Sequence, residues 1–168
     1  NQGYTTNELI KFVKNTKQKN IELIEQPLPR EHNSKMKNLS ESIRAICAAD
    51  ESLHGPYDAT RLSVIPHNFG IYNIKLMKCG GIDEALVMIK IAKRLNMKIM
   101  LGCMIESSVG ITAAAQLASE VDAVDLDGNL LINNDPYKGV EVIAGRLKLS
   151  SKNIGMGLSL VNQRKGLL

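Results

Sequence analysis

Short apolar runs alternate with longer amphipathic stretches along this chain. The runs NIELIEQP, AICAADES, IYNIKLMK and AVDLD each lead to a charged residue, at Glu25, Asp50, Lys75 and Asp127, and a fifth run, MKIMLGCM, ends near Cys103. Runs of this length predict strands. Between them, TTNELIKFVKNTKQ, SKMKNLSESIRA, PYDATRLSVI, GIDEALVMIKIAKRLN and SVGITAAAQLASE carry helical spacing, with Ile82, Leu86, Ile89 and Leu95 marking the apolar side of the fourth. Glu25, Asp50 and Lys75 recur every 25 residues, the length of one strand–helix unit. Strands alternating with helices imply parallel pairing through right-handed crossovers.

Two architectures share that pattern, an open doubly wound sheet and a closed (β/α)8 barrel. No G-x-G-x-x-G follows any strand, which argues against a dinucleotide-binding sheet. Polar residues at the ends of successive strands are what a barrel mouth requires, so the barrel is the expected fold. Five strands do not close a barrel; an arc with open edges is expected, and with it self-association of the chain, as a homo-oligomer or with a further part of the barrel.

Composition narrows the class. Of the 168 residues 44% are apolar, and 21 Lys and Arg stand against 17 Asp and Glu, a globular balance with a formal charge of +4. Much of the excess lies in KFVKNTKQKN, whose lysines run around a helix without interleaved aromatics, so nucleic acid is not an expected partner. No apolar run approaches the roughly 18 residues of a spanning helix and no signal peptide opens the chain, so no membrane partner is expected and a cytoplasmic location is the default. Cys47, Cys79 and Cys103 are too far apart in sequence for a C-x-x-C site and read as small buried residues.

The chemistry follows from strand parity. Alternation places Leu23 with Glu25, Ala48 with Asp50 and Asn73 with Lys75, while Lys78 falls outside the set and is expected in solvent in the KCGG turn. Two carboxylates and an amine on neighbouring strand ends suit either a hard cation with a base beside it or a structural ion-pair network. Asp125 and Asp127 share a face, and their repulsion calls for a cation: a metal, a basic side chain or a positive group on a ligand. A D-x-D leading into Gly-Asn also suits a turn.

The segments NQGY, IELIEQPLP, AADESLHG, NIKLMKCGGIDEAL, LGCMIESSVGITAAAQLA and VDLD together resemble the barrel domain of the enolase superfamily, in its muconate-lactonizing subgroup, and within it the dipeptide epimerases of the L-Ala-D/L-Glu type. The resemblance implies an α/β fold, the C-terminal part of a (β/α)7β TIM-like barrel. Residues 1–128 would supply barrel strands, and 129–168 a segment that completes the barrel and returns toward an N-terminal capping domain. It implies Mg²⁺ held at Glu25 and Asp50, with a further Asp of the family's D-A-N-Q-G segment, of which Asn1 is the Asn that steadies the ligands. It assigns Lys75 as one of two catalytic bases, the other being the second lysine of a K-x-K segment. The chain is then expected to be a C-terminal portion, inactive or nearly so by itself. Asp125 and Asp127 would hold the α-ammonium of a dipeptide substrate, with Cys103 and Met104 on the pocket wall. Muconate cycloisomerases and o-succinylbenzoate synthases of the same subgroup, whose substrates carry no ammonium, and an inactive binding module are the alternatives.

Overall fold

Five strands, β1 (Ile24–Glu25), β2 (Cys47–Ala49), β3 (Ile71–Lys75), β4 (Lys98–Gly102) and β5 (Ala123–Val124), lie in one parallel sheet in sequence order. The computed structural model describes residues 1–150 and 154–161, so the end of the expected 129–168 segment, residues 162–168, lies outside the described residues. Sequential order means that every crossover steps the same way, whereas a doubly wound sheet reverses direction at a switch point. The sheet is accordingly the arc of a barrel.

The two faces of the sheet carry different cores. Ile24, Cys47, Ala49, Tyr72, Ile74, Ile99 and Leu101 belong to the large cluster that includes the helices, with Ala59 and Leu62, Met88, Ile89 and Ala92, and Ile111. The opposite parity, Ala48, Ile71 and Met100 with Leu23, forms a small separate cluster inside the arc. Each fully buried Leu, Ile or Met contributes about 1.5–3 kcal/mol, so the helix-covered face carries most of the stability.

The helices are α1 (Thr6–Asn15), α2 (Glu41–Arg44), α3 (Pro56–Leu62), α4 (Leu76–Cys79), α5 (Ile82–Arg94) and α6 (Ser108–Ala115). Thr5 and Glu8 form a reciprocal capping box on α1, and Pro56 opens α3 at the position where its absent N–H costs nothing. Tyr72, fully buried in β3, donates from its hydroxyl to Ala59 O at 2.7 Å and fixes α3 on the sheet.

Three expected helices come out clearly shorter, SVGITAAAQLASE among them, which ends as an α-helix at Ala115 and continues only as a 3-10 turn at Ala118–Glu120. SKMKNLSESIRA is divided between a 3-10 segment, Arg30–Asn38, and α2, because Leu39 is extended and Ser40 caps a new helix at Ile43 N. PYDATRLSVI stops at Leu62, ahead of Pro66, whose ring disfavours a helical residue before it. Beyond the arc, β6 (Tyr137–Lys138) pairs antiparallel with β9 (Ser159–Leu160), and β7 (Glu141–Ile143) with β8 (Arg146–Lys148) across a tight Ala144–Gly145 turn with positive φ at both residues. Val140 N donates to Thr112 Oγ1 at 2.8 Å and anchors this segment on α6. Among the described residues no helix is long and apolar enough to cross a membrane.

Candidate active site at the C-terminal ends of the strands

Parallel strands deliver the residues that follow them to one end of the sheet, and there the inward positions of β1, β2 and β3 meet. Lys75 Nζ donates to Asp50 Oδ2 at 2.8 Å and lies 3.5 Å from Glu25 Oε1. Asn73, two residues before Lys75 and on the same face, donates from Nδ2 to Glu25 Oε1, while its buried Oδ1 has no hydrogen-bond partner. Asn1 Nδ2 donates to Asp50 Oδ2 at 2.9 Å and to Glu51 Oε2 at 3.2 Å. Backbone bonds from Gln2 N to Gln26 O and Tyr4 N to Pro27 O hold this first segment against the exit of β1.

Lys78 is also in the site, contrary to the parity expectation. Its Nζ donates to Asp50 O at 2.7 Å and to Asp50 Oδ1. The strand ends at Lys75 and α4 begins at Leu76, so from there the angular step is that of a helix, and one turn returns residue 78 to the side of residue 75. Gly102 of β4 lies across from Lys75, and a Cβ there would meet Asn73 Oδ1 and come within 3.0 Å of Lys75 Cε. A glycine inside a strand often marks such a close approach, and here it makes room for the lysine.

The charges reshape one another. Burial, with the neighbouring Asp50 carboxylate, pushes Glu25 above the usual carboxylate range. Burial acts on Asp50 in the same sense, but the bonds from Lys75 and Lys78 outweigh it and hold Asp50 low. Burial likewise works to lower Lys75, and its pairing with Asp50 and Glu25 prevails and raises it. In Lys78, burial wins and the ammonium is pulled down despite Asp50.

The donor set fits a hard cation. Two carboxylates from adjacent strands already converge on one positive group, the Lys75 ammonium. No cluster of three or more Asp, Glu, His or Cys able to hold a metal occurs among the described residues. A Mg²⁺ held by Glu25 and Asp50 would complete its shell with further oxygens, as this ion commonly does with water and substrate.

At the far edge, Asp125 N donates to Leu101 O at 2.9 Å, and the chain leaves β5 with Asp125 and Asp127 exposed on either side of buried Leu126. Asp127 precedes a 3-10 turn, Gly128–Leu131, but its side chain makes no capping bond. Neither carboxylate has a hydrogen bond or ion pair with another described residue. The loop sits close upon β4: a Cβ on Gly128 would strike Met104 O and come 3.2 Å from Cys103 Sγ. Cys103 is half-buried, its thiol raised by burial and then by the two aspartates, and Met104 is half-exposed. Cys47 and Cys79 are buried, as expected, the Cys47 thiol pushed up to about 12 by burial. Glu106 accepts from Met104 N at 3.0 Å.

Residues 1–164 match the family described as enolase C-terminal domain-like. The chain is 41% identical over 164 residues to an L-Lys-D/L-Arg epimerase of Desulforapulum autotrophicum, covering 96% of this chain and 46% of that protein. It is 42% identical over 151 residues to an L-Ala-D/L-Glu epimerase of Bacteroides thetaiotaomicron, covering 89% and 39% respectively. A crystal structure of a dipeptide epimerase from Methylococcus capsulatus with Mg and the dipeptide L-Arg-D-Lys superimposes with a TM-score of 0.89 at 38% identity, over 94% of this chain and 46% of that one. The chain thus spans about half the length of the curated relatives it matches.

Proposed function

Because the chain belongs to the enolase C-terminal domain-like family, we propose that it carries one half of the active site of a Mg²⁺-assisted dipeptide epimerase, which removes and returns the proton α to a carboxylate. The observation that carries this reading is the convergence of Glu25, Asp50 and Lys75 from three adjacent strand ends, with the ammonium 2.8 and 3.5 Å from the two carboxylates.

Each residue then has a task. Lys75 Nζ takes and returns the proton on one face of the α-carbon, and the lysine of the family's K-x-K segment serves the other face. Proton transfer of this kind contributes roughly 10²- to 10⁴-fold in rate. Glu25 and Asp50 hold the metal, which when bound stabilises the negative charge growing on the substrate carboxylate as the α-proton leaves. Asn73 orients Glu25; Asn1 and Lys78 orient Asp50. Asp125 and Asp127 take the α-ammonium of the dipeptide, and Cys103 and Met104 flank it on the pocket wall.

The exposed, unpaired D-x-D favours a substrate with a free amine over the cycloisomerase and synthase alternatives. Within dipeptides, L-Ala-D/L-Glu is the proposed substrate. A relative named for L-Lys-D/L-Arg stands at nearly the same identity, so both belong in the test. The complete polypeptide, incubated in D₂O with Mg²⁺ and L-Ala-L-Glu or L-Lys-L-Arg, should lose the α-proton NMR signal of the second residue, and Lys75→Ala should abolish that loss. Unchanged α-proton signals across a panel of dipeptides would refute the epimerase reading.

A further inference from the structure

Gln26 follows the proposed ligand Glu25 directly, yet its side chain is committed to the strand of the other ligand. It is fully buried, and its φ of 31° lies in the left-handed region, which costs a residue with a side chain about 1–3 kcal/mol. Its Oε1 accepts from the backbone N–H of Asp50 at 3.1 Å and of Ser52 at 3.2 Å. Its Nε2 donates to Leu28 O at 3.0 Å and Asn33 Oδ1 at 3.3 Å. Asn33 is in turn fixed by Ser52: Asn33 Nδ2 donates to Ser52 Oγ at 2.7 Å, and Oγ lies 3.0 Å from Asn33 Oδ1. Asn33 and Ser52 are buried as well.

The β1–β2 ladder ends just here. Glu25 is in register with Ala48, and Gln26 N makes a last bond to Ala48 O at 2.8 Å, two residues short of Asp50. Past that point no ladder bond joins the strand ends, while the two carboxylates repel each other in a partly buried place. A buried side chain in a strained backbone, with acceptor and donors all paired, is more than filling space requires; a Met or Leu would fill it. Such a residue persists where the surrounding structure over-determines it, which is characteristic of sites held ready for a ligand.

We infer that Gln26 is a positioning residue that clamps the Asp50 backbone to the end of β1, and so fixes the Glu25 to Asp50 separation and the affinity for Mg²⁺. This rests on the proposed reading of Glu25 and Asp50 as the metal ligands. Groups that orient metal ligands typically contribute 10- to 100-fold in metal affinity.

The test is Mg²⁺ binding to the complete polypeptide by calorimetry, without substrate, together with amide hydrogen exchange at Asp50 and Ser52. Gln26→Met, which keeps the volume and removes the clamp, should raise the Mg²⁺ Kd about 10- to 100-fold and speed exchange at both amides. Ile89→Val, a loss of packing on the helix-covered face, should leave the Mg²⁺ Kd unchanged, which separates positioning from general destabilisation. Asn33→Ala, which frees one brace on Gln26 and leaves the clamp, should weaken binding about threefold and serves if Gln26→Met does not fold. Wild-type affinity in Gln26→Met, or in Asn33→Ala if only that variant folds, while Glu25→Gln loses Mg²⁺, would overturn the inference and leave the metal site standing. Equal Mg²⁺ binding by wild type and Glu25→Gln would instead remove the metal reading, and this inference with it.

Discussion

Two acidic pairs stand at the same end of the sheet and are treated in opposite ways. Glu25 and Asp50 are partly buried and bound to Lys75, Lys78, Asn73 and Asn1. The carboxylates of Asp125 and Asp127 are exposed and have no hydrogen bond or ion pair with any described residue. A carboxylate taken from water must find a charged or hydrogen-bonding partner, so the chain supplies its own cations at the first pair. Water solvates the second pair, which needs no internal partner and remains open to a cation brought from outside. Under the proposed function, the first pair serves the chemistry and the second serves recognition.

The comparison can be broken most directly at Lys75. In the complete polypeptide Lys75→Ala should lower epimerisation kcat by about 10²- to 10⁴-fold, the contribution of a positioned acid–base group. A loss below tenfold would mean that Lys75 is only a counter-ion in a structural network. Next in size is Gly102→Ala, which adds a methyl group against Asn73 Oδ1 and Lys75 Cε. Displacing the amine should lower kcat about 10²-fold with KM little changed, as small misplacements of reacting groups do. Equal activity would show that β4 does not limit the position of the lysine.

The recognition side should respond differently. Loss of one charge-assisted hydrogen bond is worth roughly 1.5–3 kcal/mol, so Asp127→Asn should lower kcat/KM by about one to two orders of magnitude for dipeptides with a free amine. N-acetylated dipeptides, which the wild type should turn over poorly, should lose much less, and the Mg²⁺ Kd should stay constant. A weakened Mg²⁺ affinity would move the D-x-D into the metal site and erase the distinction between the two pairs.

The smallest effect lies outside both. Asp58 accepts from His54 N at 3.0 Å and pairs with Arg61 Nη2 at 3.0 Å. Burial acts to raise its carboxyl, but these bonds prevail and hold it below the usual aspartate range. A carboxyl depressed in the folded state stabilises above its unfolded pKa, and that contribution is lost as pH falls through the folded value. Asp58→Ala should therefore cost about 0.5–1 kcal/mol in urea unfolding at neutral pH, with the gap to wild type closing on acidification below the aspartate range. A gap that persists in acid would show the loss to be packing rather than charge.

Strand parity alone brought Glu25, Asp50 and Lys75 to one face, and with them Asn73, because alternation is a local property of extended chain. The recurrence of charged strand ends likewise pointed to the parallel α/β arc, although β5 stops at Val124, short of the expected end at Asp127, so that Asp125 and Asp127 stand exposed around buried Leu126 in the loop beyond the strand. The place of Lys78 was not legible in this way, since it depends on the strand becoming a helix between residues 75 and 76, and a one-residue difference in that boundary changes the side on which it falls. Gly102 carried a weaker signal, a glycine within an apolar run, whose reason emerged only with the lysine packed over it. Tertiary structure alone decided the role of Gln26: its bond to Asp50 N spans 24 residues and depends on a left-handed backbone that no local preference for glutamine predicts. Local periodicity is written into the order of residues, whereas a clamp between two strand ends exists only once packing has brought them together and offset the strain of one residue.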